Sequence, residues 1–462
     1  MPNIRKIIRY MRHYGIKSTL GLIGEKLFVD PKRFSVDKKR LLPEFPEDYN
    51  GAQLPQGDTG CGEALTVMYL IHYFYPSKKG GTERFTLNLA KEQKRLGNNP
   101  YVLVLDANEP KSIYTEECDG ILYRYYEYDG IPCIGFRHKF APLGLYYKDV
   151  RTDDGQMRRF AAHITEKLGV DVVHATYPQP FASFLTECQE RKIPYLVTCT
   201  DFCMMCHYST MVDKNGDFCA GSEGTKKCAE VCKTYGCRDF AKRKEEAQKI
   251  LSGAALVTVP SKFVARVMSR EFPDIAFAPV AHGISDSFKY KERRGRVKKF
   301  VYAGTLSPLK GVHMLIEAFG SMQDKELTLD IYGDGDESYI GKLRSAADGR
   351  VKFHGAVPGD MMPSIYSAAD CVIVPSMWYE TYNFVLREAL MTGALVISAD
   401  IGAMPEAVSE GENGFLFTPS DVESLKAALE KATLFDFASY KKGEFPTLAQ
   451  EAEIYYRLYN QK

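Results

Sequence analysis

Residues 375–393 read PSMWYETYNFVLREALMTG, and they decide the fold. The apolar run Cys371-Val372-Ile373-Val374 ahead of them has the form of a strand buried on both faces. Asn383 to Met391 has the spacing of a helix. Glu380 therefore stands at the C-terminal end of a strand. Glu388, with seven residues between the two, lies in the following helix. In an open parallel α/β sheet this edge is where ligands bind. The unpaired N–H groups of a helix start suit a phosphate. A buried carboxylate beside them can accept hydrogen bonds from sugar or ribose hydroxyls.

The strand–loop–helix unit recurs on both sides of this stretch. Downstream of about residue 283, Lys299–Ala303, Leu327–Tyr332, Val351–His354, Leu395–Ser398 and Phe415–Phe417 form further strands, with helix signals between them such as Gly311–Met322. Upstream, Leu65–Phe74 is a strand, Ser77–Gly81 a flexible loop, Thr82–Leu96 a helix stopped by Gly97, and Tyr101–Leu105 the next strand. Leu122–Arg137 has the pattern of a hairpin around Asp129-Gly130. Helix and strand alternate on through Asp153–Leu168, Asp171–Ala175, Phe181–Arg191 and Tyr195–Cys199. A helix from Asp239 and a strand at Ala255–Val259 follow. The fold class is thus α/β, with two doubly wound parallel sheets in series around a cleft. The expected organisation is an arm and linker over 1–63, a first domain over 64–282 carrying a cysteine-rich insertion at 199–237, a second domain over 283–440, and a terminal segment 441–462 whose helix spans Pro446–Tyr459.

The 462 residues suffice for two or three domains, and 45% apolar with 26% charged residues is ordinary for a globular protein. A net charge of +1 argues against nucleic acid as a partner held by bulk electrostatics. No apolar run approaches the ~20 residues of a membrane span, and no secretory leader is visible, so a cytoplasmic location is expected. Residues 2–28 are a different case. Ile4, Ile7, Ile8 and Met11 share one helical face, with Arg5, Lys6, Arg9 and Arg12 around it. Such a segment can lie on an anionic membrane surface or pack on its own domain with its charges solvated.

The order Pro-Ser, Glu380, Asn-Phe-Val, Glu388-Ala-Leu, Gly393 resembles the Glu-x7-Glu element of the retaining glycosyltransferases of family 4. That resemblance covers about residues 65–460. It implies the GT-B fold, two Rossmann-like domains facing across a cleft, with a nucleotide-sugar donor (UDP- or GDP-linked) held by the second domain and no catalytic metal. On it, Glu380 would sit by the donor sugar and Glu388 would bind the ribose. The amides of Thr381, Tyr382, Asn383, Phe384 and Val385 would face the diphosphate. Lys310, in the strand–loop unit after Gly304, matches the family's pyrophosphate lysine and is chemically suited to that role as a point charge. The family arginine that follows the first glycine is absent, because Thr305 occupies the position. Gly80 and Gly81 match the Gly-Gly-x-Glu loop of the first domain. Gly333 lies in a turn expected near the same cleft, and Val357 in a stretch, His354 to Val357, that resembles the one with which the family cradles the base. Glu406 matches a family position near the donor.

On the acceptor side, His174 ends one strand and Asp201 follows the end of the next. Thr200 replaces the histidine that many relatives carry beside that aspartate. The catalytic candidates are Glu380, Lys310, Asp201 and His174. Seven of the twelve cysteines fall within residues 199–237. In a reducing compartment such a cluster points to a metal site more than to disulfides, and four thiolates at such intervals can close a tetrahedral zinc site. A subset of family 4 carries a similar insertion, whose cysteines match Cys206, Cys219, Cys228 and Cys232. The expected activity is retaining sugar transfer to a glycan or lipid-linked acceptor. A nucleotide-sugar epimerase of similar fold and an inactive zinc-bearing scaffold are the alternatives.

Overall fold

The computed structural model describes residues 45, 47–52, 54, 63–106, 109, 111–139, 149–232 and 239–460. The basic segment 2–28 and Cys237 lie outside them. The strands of the first half are β1 Thr66–Ile71, β2 Asn99–Leu105, β3 Glu116–Cys118, β4 Ile121–Tyr128, β5 Ile131–His138, β6 Val172–Ala175, β7 Tyr195–Thr198, β8 Leu256–Val259 and β9 Phe277–Pro279. They form one sheet in the order β3-β4-β5-β2-β1-β6-β7-β8-β9. The run from β5 to β9 is parallel, and the β3-β4-β5 meander is antiparallel. The β4–β5 turn falls at Asp129-Gly130, where both residues take positive φ.

The second sheet holds β10 Lys299–Ala303, β11 Thr328–Tyr332, β12 Val351–Gly355, β13 Cys371–Val374, β14 Leu395–Ala399 and β15 Gly414–Phe417. Its order is β12-β11-β10-β13-β14-β15, and every pairing is parallel. The central strands β13 and β14 are buried along their whole length. Both faces of these two strands are covered, so their sequences are mainly apolar rather than alternating.

The helix Lys262–Glu271 and the strand β9 extend the first sheet past the elements expected from sequence. The helix has a plain start signal, with the Ser261 hydroxyl capping the Val264 N–H. β9 is only three residues long and ends in a proline, so it carries little strand signal and sits at the sheet edge. The chain at Asn50 and Ala52 adds hydrogen bonds to Phe277 on that edge.

The last helix, Leu448–Tyr459, opens with a capping box between Thr447 and Gln450. It packs on the helix Gly81–Arg95 of the first half. The Gln93 amide donates to the Ala452 carbonyl (2.6 Å), and the Glu451 carboxylate receives His282 Nδ1 (2.9 Å) and the Gly283 N–H (2.7 Å). Among the described residues, no helix is long and apolar enough to cross a membrane.

Candidate active site

β10 and β13 are neighbours in the second sheet, and their C-terminal ends bring Lys310 and Glu380 together from 70 residues apart. Glu380 Oε1 accepts three hydrogen bonds: from Lys310 Nζ (2.6 Å), Ser376 Oγ (2.7 Å) and Trp378 Nε1 (2.6 Å). Burial alone would raise this carboxyl. The Lys310 charge and the three donors outweigh it and hold Glu380 below its ordinary value. Glu380 is therefore an anion at neutral pH. Two close approaches of backbone hold it in place. Gly311, at φ +69°, lies against the Pro375 carbonyl, and Gly402, at φ +68°, would place a Cβ 2.5 Å from the Glu380 carbonyl oxygen. Both φ values favour glycine.

The helix expected from Asn383 begins at Phe384 and runs to Met391, with Asn383 as its N-cap. The Asn383 side chain accepts the Leu386 N–H at 3.0 Å, with its own backbone at φ +65°. This leaves the first N–H groups of the helix facing a cavity of about 460 Å³ between the two sheets. Glu380, Lys310, Gly304, Thr305 and residues Thr381 to Val385 line it from the second half. Gly80, Gly81, Arg84, Thr200 and Asp201 line it from the first. The two walls touch directly. The Thr381 hydroxyl donates to the Thr200 carbonyl (2.7 Å), and the Thr200 hydroxyl receives that of Thr82 (2.9 Å). Thr200 is thus a structural tie where a histidine had been the family expectation. The Asp201 carboxylate accepts the Cys203 N–H (2.8 Å), and burial pushes its carboxyl up to about 6.

Several expected residues lie elsewhere. His174 is fully buried beneath the last helix, with Nδ1 2.6 Å from Tyr459 Oη and Nε2 2.7 Å from Thr198 Oγ1. Burial and the neighbouring His282 hold it down to about 3, so it is neutral. It is not in the cavity wall, and both ring nitrogens meet protein hydroxyls. Gly333 and Val357 are not in the cavity wall. Gly333 instead packs its α-carbon against the Gly304 carbonyl, where a side chain has no room. Glu406 faces the first half rather than the donor pocket. Its carboxylate caps the helix Lys262–Glu271 through the N–H groups of Lys262 (3.2 Å) and Phe263 (2.5 Å). Glu388 is 2% exposed and lies behind the wall, in an ion pair with Arg84.

Among the wall residues that escaped the sequence reading are Arg84, Trp378 and His282. Trp378 had a signal, because it is the single tryptophan and lies two residues from Glu380. His282, stacked on Phe384 at 5.5 Å, and Arg84 reach the cavity only through long-range packing.

The described cysteines of the insertion are free. Burial pushes Cys228 up to about 12 and Cys232 up to about 11, and in both cases Cys206 and Cys219 add to the rise. The four expected ligands are therefore near enough to feel one another's charge. Among the described residues, however, no three or more His, Cys, Asp or Glu side chains are arranged to hold a metal ion, so the expected ligand set is not formed here.

Residues 79–284 match the family described as Glycosyltransferase Family 4, and residues 297–433 match Glycosyl transferases group 1. The chain is 33% identical over 135 residues to D-inositol 3-phosphate glycosyltransferase of Corynebacterium efficiens, covering 27% of this chain and 32% of that protein. It is 28% identical over 134 residues to O-antigen chain mannosyltransferase B of Escherichia coli, covering 28% of this chain and 34% of that protein. The chain thus spans about a third of the length of these curated relatives. Among solved structures, Anabaena HepE in complex with UDP and glucose superposes with a TM-score of 0.58 at 18% identity, over 86% of this chain and 99% of that one. The two sheets with a cleft between them are the GT-B fold. The chain belongs to the family 4 type of glycosyltransferases.

Proposed function

We propose that this protein is a retaining glycosyltransferase that moves a sugar from a nucleoside diphosphate sugar to a hydroxyl of a glycan or lipid-linked acceptor. The observation that carries the reading is the convergence of Lys310, Glu380 and the start of the helix Phe384–Met391 on one cavity between the sheets. Breaking the bond between the anomeric carbon and the diphosphate leaves extra negative charge on the leaving group. The Lys310 ammonium and the N–H groups of the helix start can stabilise that charge. Glu380 is kept anionic, so it can accept hydrogen bonds from sugar hydroxyls and oppose positive charge at the anomeric carbon. The ribose would be met by Glu388 once Arg84 gives way. Asp201, on the opposite wall, is the group available to orient an acceptor hydroxyl.

A surface polysaccharide is the acceptor class we favour. The likeness to the Escherichia coli O-antigen mannosyltransferase and the basic segment 2–28 support it. On this reading the protein sits at the inner face of a membrane. Deleting residues 1–28 then releases it from anionic vesicles, and unchanged binding refutes the anchor.

Zinc is the remaining part of the proposal. Cys206, Cys219, Cys228 and Cys232 would hold it structurally once the insertion draws them together, and it would take no part in transfer. Stoichiometric zinc in protein prepared without added metal supports this, and its absence ends it.

The donor reading is tested by thermal shift against UDP-, GDP- and ADP-sugars, since a true donor stabilises the folded form by mass action. The donor so found is then incubated with acceptor glycans. Product with inverted anomeric configuration, or nucleotide release that ignores the acceptor, overturns the proposal.

A further inference from the structure

A donor diphosphate carries more negative charge than one lysine can balance, and Lys310 is already paired with Glu380. The family's second cation is missing at Thr305. Yet a second permanent cation does face the cavity. Arg84, in the first turn of the helix Gly81–Arg95, comes from the opposite wall. Its guanidinium lies over the Phe384 ring, 4.5 Å from the centroid, at the start of the helix that faces the cavity. Its terminal nitrogen pairs with Glu388 Oε1. That oxygen is buried and has no hydrogen bond of regular geometry, so among the described residues Arg84 is the partner it pairs with. Arg84 therefore holds the carboxylate that the ribose would need.

We propose that Arg84 is the second diphosphate-binding cation of this enzyme, held on Glu388 while the site is empty and exchanged onto the phosphates when a donor enters. The exchange is balanced in charge. The ribose hydroxyls replace the guanidinium at Glu388, and the guanidinium turns to the diphosphate, whose oxygens it can meet two at a time. The face of Phe384 supports the guanidinium in both positions. The cation lost from the second domain at position 305 is thus supplied by the first. Donor binding then requires both walls, and the cleft closes around the diphosphate rather than beside it. This inference rests on the donor site proposed above.

Affinities of UDP and uridine, and of GDP and guanosine, are measured by calorimetry on the full chain, and the pair that the unaltered protein binds is carried forward. Arg84→Met keeps the apolar stem over Phe384 and removes the charge. The expected result is a loss of at least tenfold for the nucleoside diphosphate with no loss for the nucleoside, which should bind as well or better once Glu388 is free. Adding Thr305→Arg to Arg84→Met should restore most of the lost affinity. Arg84→Lys, which retains the fold and one charge, should fall in between. A change under twofold for the diphosphate overturns the inference, as do equal losses for diphosphate and nucleoside or a failure of Thr305→Arg to restore binding. If the unaltered protein binds neither pair, the donor reading itself fails and this inference with it. Binding that ignores Arg84 removes this inference alone.

Discussion

Replacing Lys310 by methionine should turn Glu380 from a stabilised anion into a buried, poorly compensated one, and the structure fixes how that cost depends on pH. Glu380 receives Lys310 at 2.6 Å, Ser376 at 2.7 Å and Trp378 at 2.6 Å, all on one oxygen. Its side chain is 9% exposed, against 25% for Lys310. Removing one partner of a buried pair costs about 3–5 kcal/mol. The two neutral donors remain and Lys310 is partly solvated, so the lower figure of about 3 kcal/mol applies, equivalent to roughly 6–12 °C in melting temperature.

The sign follows from the direction of the carboxyl's shift. In the unaltered protein the folded-state pKa of Glu380 is depressed. Its contribution is present above the unfolded value of about 4.3 and is lost as pH falls through the folded one. Without Lys310, burial dominates and the folded-state pKa rises above the unfolded one. The variant is then penalised at high pH and relieved as pH falls through the raised value. Trp378 is the only tryptophan and touches Glu380, so its fluorescence reports unfolding of this region directly. Urea titrations should show a deficit of about 3 kcal/mol at pH 8 that is smaller at pH 5. The Lys310→Met, Glu380→Gln double variant should recover much of it, because no buried charge is left unpaired. An equal deficit at both pH values, or strictly additive single variants, would refute the reasoning.

Three further outcomes are expected. Transfer by the unaltered protein should fall as pH drops through about 6, where Asp201 takes up a proton, and Asp201→Asn should lose that acid limb; a limb that persists unchanged in the variant removes Asp201 from the site chemistry. His174→Gln should lower thermal stability while leaving KM and kcat within about threefold, since His174 holds Tyr459 and Thr198 rather than substrate; a collapse of kcat with unchanged melting would return it to the catalytic set. Gly402→Ala should cut kcat by at least about tenfold in protein that still folds, because its Cβ presses on the backbone of Glu380 at a positive φ; full activity would show that the Glu380 position tolerates that shift.

The second sheet was largely legible because its central strands β13 and β14 are short, mainly apolar runs, which is the pattern of strands covered on both faces. Glu380 was legible for a related reason: strand, loop and helix start follow one another within a single segment, so the local order carries the geometry. Lys310 required one further step, that β10 and β13 are neighbours, and the doubly wound topology supplies it. The surroundings that the sequence did not show share a different cause. His174 ends a strand as a ligand-binding histidine would, but the last helix, 285 residues away, closes over it. Glu406 follows a strand end in the second half, yet its carboxylate completes a helix of the first. Arg84 looks like any basic residue in an amphipathic helix until Glu388 of the other half is placed beside it. In each case the partner belongs to another segment whose pairing leaves no period or spacing in the chain. The Glu406 and Arg84 contacts join the two halves. What local sequence conceals here is therefore how the halves fit together, and on our reading that fit decides when the donor site opens.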